Sequence, residues 1–378
     1  MRNKSNKSVL SICDIHPLRL GSFEEYLIEL SHQLSLKGFK HVIVFRDDPI
    51  PSVLKFLLSN NDVEIRTFCP SKHSICNLIE LYNLIQDIKP SIVHFHFYPP
   101  FSVLNFIKLF TSSKFIYTDH MGIKAPKRLS HKLLRKYYHY LNFILFSSLV
   151  DSIICVSDFV KFKYRSEYGI KSNKLTVIYN GINFNRFSEK VNPSLISNQY
   201  NLNDEVVVSC IAGLRKEKGV QCLIKASPLI VKAVQNVKFF IIGDGEYRKQ
   251  LEELVLKLNI EDRFIFTGFN DSTEEFYSIS SCIVIPSVVD EAFCFVAAEA
   301  IAAGSPVVAF DSGAIKEAFG NIKTIKIVPK NMESLAESII DSLLNIPEKQ
   351  ILEEGSSIIK KEYSIQECVK KYINIYYI

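Results

Sequence analysis

Short apolar runs alternate with helix-period stretches along nearly the whole chain. Runs rich in Val, Ile, Phe and Cys at 9–13, 42–45, 92–97, 115–118, 153–156 and 176–179 predict a first series of strands. A second series falls at 206–212, 238–242, 264–267, 282–286, 307–310 and 325–328. Between them the spacing changes to that of helices. Phe23, Leu27, Leu30, Leu34 and Leu36 form a stripe that predicts a helix over 23–37, closed by Gly38. Others are expected at 247–258 and 365–376. Strand and helix in alternation imply a parallel sheet covered on both faces, because a parallel crossover needs a helix. Two series imply two such sheets. The polar, aperiodic stretch 187–200, with Pro193, predicts the break between them. The expected domains are 1–190, 191–364 and a final helix, 365–378.

The most chemically suggestive segment is 289–310, VDEAFCFVAAEAIAAGSPVVAF. Glu291 should lie in the loop after a strand, and Glu299 within the following helix, which Gly304 stops. A carboxylate at the carboxyl end of a parallel strand, beside a helix start, marks a polar ligand site. The amides near Cys294, Phe295 and Val296 should favour an anion. Carboxylates hold sugar hydroxyls and helix amides hold phosphate, so together they suggest a sugar carrying a phosphate.

Composition sets limits on this reading. The chain has 378 residues, 47% of them hydrophobic and 22% charged, enough for two ordinary cores. A net charge of +5 is no nucleic-acid signature, and no nucleic-acid partner is expected. Nine cysteines without a CxxC pair read as small buried hydrophobes in a reducing cytoplasm. The N-terminal apolar run is too short for a signal peptide, and the greasiest stretch, 141–150, is about half a membrane span. A cytoplasmic protein is expected, with or without peripheral contact at the inner face of the plasma membrane.

In order and spacing these motifs resemble the retaining glycosyltransferases of family 4. IYNGINFNRF (178–187), LRKEKGVQCLIKA (214–226), FIIGDGEYRKQLEELVLKLNIEDRFIFTGF (240–269) and DEAFCFVAAEAIAAGSPVVA (290–309) carry the likeness, which extends over nearly the whole chain. The resemblance implies an α/β fold of two facing Rossmann-like doubly wound domains with an interdomain cleft, the GT-B architecture, and a final helix that returns to the N-terminal domain. It implies that Glu291 holds donor-sugar hydroxyls and Glu299 the nucleotide ribose. Phe293, Cys294 and Phe295 match the loop whose amides face sugar and diphosphate. Lys218 matches the diphosphate lysine. The arginine that usually precedes it by five residues is replaced by Gly213, and Arg215 is the nearest substitute. Gly268, in Thr267-Gly268-Phe269, matches a loop near the base. His120, in TDHMG (118–122), matches a histidine close to the transferred sugar. The Gly-Gly loop of the family is here Gly21-Ser22, with Gly21 placed to approach phosphate.

The implied activity is transfer of a hexose-type sugar from a nucleotide-diphosphate sugar to a glycan or lipid-linked hydroxyl, in bacterial surface polysaccharide synthesis. Configuration is retained by front-face attack, with Lys218, Arg215 and the helix amides stabilising the leaving diphosphate. No metal and no cofactor is expected, since no DxD motif is present. Three other classes stay open: an epimerase, hydrolase or phosphorylase of the same architecture, a non-catalytic sugar-nucleotide-binding protein, and a metal-dependent hydrolase built on HFH and TDH. Donor turnover with acceptor present separates the first two from a transferase, and a chelator tests the third. His94 and His96 share one strand face, but no third ligand has persuasive spacing, which favours structural or cleft-lining histidines. GDG (243–245) lacks the third glycine of a dinucleotide fingerprint and reads as a tight turn. The basic run 127–140, KRLSHKLLRKYYHY, is either a peripheral membrane contact or a helix with a solvated basic face.

Overall fold

The structure, a computed structural model, describes residues 7–59, 63–68, 75–121, 141, 143–168, 170, 172–188 and 192–377. The basic run 127–140 lies outside them. The chain forms two compact units, Met1–Gly181 with Ile365–Ile378, and Ile182–Ser364.

Among the described residues, the first unit holds seven parallel strands: β1 (Ser8–Cys13), β2 (Lys40–Phe45), β3 (Val63–Thr67), β4 (Ile92–His96), β5 (Lys114–Asp119), β6 (Ser152–Cys155) and β7 (Leu175–Val177). Their order is β3-β2-β1-β4-β5-β6-β7. Central strands covered on both sides must be apolar at nearly every position, and β1 is buried throughout. One face packs Val9, Ile43, Ile92, Ile116 and Ile154 under Leu27, Leu30 and Leu34 of the helix Ser22–Leu36. The same core takes in Ile365, Val369, Tyr372 and Tyr376 of the last helix, Ile365–Tyr377. That helix is therefore part of the first unit, although it follows the second in sequence.

Among the described residues, the second unit holds six parallel strands: β8 (Val206–Ile211), β9 (Val237–Ile242), β10 (Phe264–Gly268), β11 (Cys282–Ile285), β12 (Val307–Phe310) and β13 (Ile325–Val328). Their order is β10-β9-β8-β11-β12-β13. Adjacent positions serve opposite faces, as the period of two requires. Val208 and Phe239 join the core beneath the helices Val220–Ala233 and Met332–Leu344. Val207 and Phe240 pack on the other side with Phe276 and Ile196. Both sheets are thus doubly wound. Each reverses strand order beside its first strand, between β1 and β4 and between β8 and β11. Such switch points leave a crevice at the carboxyl ends where a ligand can sit.

Two details differ from the sequence expectation. Strand β3 was not foreseen, because VEIRT is a half-buried edge strand with charge at two of its five positions. The units divide at Gly181–Ile182 rather than at residue 190. Ile182 bridges to Ser364 and donates to the Tyr363 carbonyl at 2.8 Å, and Arg186 is held by Glu274 at 2.8 Å. These contacts tie 182–188 to the second unit ahead of the polar stretch.

Candidate active site

In the second unit the site is built at the switch point. The chain leaves β8 and makes a tight turn, Lys216–Lys218, before the helix Val220–Ala233. It leaves β11 into the loop that carries Glu291, before the helix Phe295–Ala302. The neighbouring strand ends bring Lys218 Nζ to 2.8 Å from Glu291 Oε1. Ser287 Oγ donates to the same oxygen at 2.6 Å. Oε2 takes part in neither bond, so the carboxylate is oriented by one oxygen and presents the other. Backbone contacts hold the loop in place. Ala314 N–H donates to the Glu291 carbonyl at 2.8 Å, and Ser312 Oγ donates to the Ser287 carbonyl.

Gly219 sets the approach of Lys218 to this loop. Its φ is +73°, and a Cβ there would stand 1.7 Å from the Pro286 carbonyl oxygen. Gly219→Ala is expected to cost about 2–4 kcal/mol, combining left-handed strain with a backbone clash. Gly213 has nothing within 4 Å of a Cβ. Gly213→Ala should change stability by less than about 0.5 kcal/mol. Urea midpoints of the two variants check this, and equal midpoints would sink it.

The helix Phe295–Ala302 begins at Cys294, whose side chain makes no capping bond. Its first-turn amides lie at the positive end of the helix dipole. Burial, with the Glu291 charge adding to it, pushes the Cys294 thiol up to about 12, so it is no nucleophile at neutral pH. Phe293 is buried against Phe319 and Tyr363 and anchors the loop. Glu299 lies on the inner side of the helix and is buried. Its Oε2 accepts from Tyr277 OH at 2.8 Å, and its Oε1 lies 3.8 Å from Arg186 Nη1. Burial, then the Glu299 charge, pushes the Tyr277 phenol well above its usual range, so it stays a donor. Gly268 has φ +76° and accepts from Gly243 N–H at 2.8 Å, which places it at the ends of β9 and β10. Arg215 is exposed, and its ion pair is with Glu217 at 3.5 Å. The structure therefore brings Lys218 and Glu291 together directly and joins Glu299 to them through one loop and helix. Arg215 sits on the same turn as Lys218 but with a different partner.

In the first unit His120 follows β5. Its Nε2 lies 3.1 Å from His96 Nδ1, and its ring stacks on Phe97 with centroids 4.4 Å apart. Burial lowers its pKa to about 3, against a smaller upward pull from Asn180. Gly21 caps the helix Ser22–Leu36 with φ −145°, an extended conformation open to any residue. Its N–H donates to Glu24 Oε2 at 2.9 Å, so a side chain of the chain itself already occupies that amide. His94 is fully satisfied, with Tyr376 OH at 2.6 Å from Nδ1 and Thr118 Oγ1 at 2.8 Å from Nε2. A structural role was one of the two expected for it, the other being to line a cleft.

The model of group 1 glycosyl transferases matches residues 194–356, and that of glycosyltransferase family 4 matches 23–186. The chain belongs to the group 1 glycosyltransferases. It is 32% identical over 235 residues to the glycosyltransferase MJ1607 of Methanocaldococcus jannaschii, covering 59% of each chain. It is 27% identical over 233 residues to the lipopolysaccharide 1,2-N-acetylglucosaminetransferase of Salmonella typhimurium, covering 58% of this chain and 60% of that one. Both matches span about six tenths of the relative. The crystal structure of Anabaena Alr3699/HepE in complex with UDP has the same fold, with a TM-score of 0.79 at 19% identity over 97% of this chain and 99% of that one.

Within this glycosyltransferase, sequence reasoning missed Tyr277, Ser287 and Arg186. Arg186 stands in the quoted 178–187 segment, yet nothing local signals that its guanidinium reaches Glu274 and approaches Glu299. Among the described residues no helix is long and apolar enough to cross a membrane.

Proposed function

We propose that this glycosyltransferase takes its sugar from a uridine-diphosphate donor and passes it, with retention, to a hydroxyl of a surface glycan or lipid-linked glycan. The observation that carries the reading is the Lys218–Glu291 pair at 2.8 Å beside an uncapped helix N-terminus. A cation and a row of amides suit the diphosphate, and the carboxylate suits the sugar hydroxyls. The relative solved with UDP and the lipopolysaccharide transferase among the relatives support the donor and acceptor classes.

In this reading Glu299 accepts hydrogen bonds from the ribose, with Tyr277 and Arg186 holding its two oxygens in place. Phe293, Cys294 and Phe295 contribute backbone amides to the diphosphate. Gly268 lies near the base, and His120 approaches the transferred sugar; Gly21, its amide given to Glu24, takes no part. As the anomeric bond breaks, negative charge grows on the departing diphosphate. Lys218, the helix amides and Arg215, once released from Glu217, stabilise it. The leaving phosphate oxygen takes the acceptor proton on the same face, so no enzymatic nucleophile is needed. Charge stabilisation comes from fixed protein groups, and metal-independent turnover follows from that.

A thermal-shift panel of UDP, GDP, ADP and their sugar conjugates, with one arm in EDTA, tests this. UDP at a hundred times its Kd should add about 2.7 kcal/mol of stability. Glu299→Ala should abolish that shift while the unliganded protein keeps its cooperative transition. No shift with any nucleotide, or one unchanged in Glu299→Ala, would overturn the donor site.

A further inference from the structure

We infer that His96 is a positioning residue for His120: it carries its proton on Nδ1, donates it to His120 Nε2, and so locks the His120 ring as a neutral group that transfers no proton. This rests on the proposed place of His120 at the transferred sugar, but the ring states themselves can be read without substrate.

The geometry leaves two arrangements for the 3.1 Å bond between His96 Nδ1 and His120 Nε2. If His120 donated, the proton of neutral His96 would sit on Nε2. That atom is fully buried and has no partner. A buried N–H without an acceptor is among the rarest features of folded proteins, whereas an unused lone pair is better tolerated. The proton therefore belongs on His96 Nδ1, and His120 accepts. With Nε2 accepting, the single proton of a neutral His120 ring sits on Nδ1.

Packing keeps His96 from rotating out of this arrangement. His94 lies against one side with ring centroids 3.9 Å apart, and Phe23 and Tyr26 stand edge-on at 5.2 and 5.7 Å. His94 is itself fixed by Tyr376 and Thr118. Phe97 completes the clamp. It is a bulky residue at φ +62°, a conformation that needs support from its surroundings, and its ring lies flat on His120. The neighbouring titratable groups His41, His94, Tyr26 and Tyr372 are all buried, and burial holds the histidines neutral and the phenols protonated. No charge among them favours an imidazolium.

The test is ring-nitrogen NMR on the full chain labelled with 15N-histidine, at neutral pH, with assignments from His96→Asn, His96→Phe and His120→Gln. Both His96 and His120 should show the Nδ1–H neutral form, the minor form of free imidazole. A proton on His96 Nε2, or a charged ring at either position, overturns the proposal. In His96→Phe, which keeps the ring but removes the donor, His120 should shift toward the Nε2–H form. In His96→Asn, whose amide can donate from the Nδ1 position, it should not. Turnover of a UDP-sugar should fall about ten- to a hundred-fold in His96→Phe, with UDP affinity unchanged, and recover in His96→Asn. Wild-type turnover in His96→Phe overturns the positioning role. If the wild-type protein turns over no donor, the transferase reading of the site has failed, and the His120 tautomer in the two variants alone decides this one.

Discussion

Lys218→Ala is expected to lower turnover of the sugar donor by about 10²–10³-fold, the usual cost of removing one fixed charge-stabilising group from a transition state. Two effects contribute and can be separated. The first is loss of the cation facing the departing diphosphate. The second is damage to Glu291, whose side chain is only 13% exposed and shares Oε1 between Lys218 and Ser287. Without Lys218 that carboxylate keeps a hydroxyl donor but loses its counter-charge, which costs about 1–3 kcal/mol in a partly buried setting. The variant should therefore melt earlier as well as turn over slowly. Adding Glu291→Gln to it should restore part of the stability but none of the activity. Lys216→Ala, on the exposed side of the same turn, is the control and should stay close to wild type. If the double variant regained turnover, or Lys216→Ala lost as much as Lys218→Ala, the phosphate role of Lys218 would be wrong.

Acid should unfold the first unit before the second. All nine histidines lie within residues 1–181, and none within 182–364. Four of them, His41, His94, His96 and His120, are pushed below their ordinary pKa chiefly by burial, His41 and His120 to about 3. A histidine whose folded value is depressed binds its proton more readily when unfolded. Its contribution to stability is complete above the unfolded value of about 6.5 and is lost as pH falls toward the folded value. Between pH 6.5 and 5.5 each contributes a loss of about 1 kcal/mol, so the four together remove about 4 kcal/mol from a total of about 5–15. Glu24 has the opposite sign, since burial raises its pKa, but it is a single group. Hydrogen exchange followed by peptide mass should show strands β1, β2, β4 and β5 losing protection below about pH 5.5, while β8, β9, β11 and β12 keep theirs. Equal loss in both units would show that the buried histidines are not the cause. His41→Gln should shift the transition to lower pH, because it leaves one fewer group to protonate in the unfolded chain.

Much of the fold was legible because parallel sheets covered on both faces leave a strong trace. Each central strand must be apolar at nearly every position, and the nine central strands of the thirteen described stood out on that ground, as did the apolar runs of the edge strands β7, β10 and β13. The exception, β3, lies at an edge, where Glu64 pairs with Lys40 and Arg66 with Asp87, so its pattern is that of a polar loop. Glu291 and Glu299 were placed near a strand end and in the helix after it by local turn chemistry, whereas Lys218 was singled out by the family resemblance. The boundary near residue 190 was misread for a related reason. The polar composition of 187–200 marks a linker-like stretch, but the actual division depends on Ile182 bridging to Ser364, a partner remote in sequence.

The sequence by itself determined that there are two doubly wound units, where twelve of the described strands run, and that Glu291 follows a strand end of the second sheet. Those properties follow from hydrophobic period and from residues close together along the chain. Only the tertiary structure decided that Tyr277 and Arg186 hold Glu299, that Ser287 shares Glu291 with Lys218, that Glu24 occupies the Gly21 amide, and that His96 meets His120. It likewise decided that Tyr376 of the last helix reaches His94, which precedes it by 282 residues. Hydrogen-bond partners between distant segments depend on side-chain direction and on how neighbouring strands align, and no local pattern encodes either.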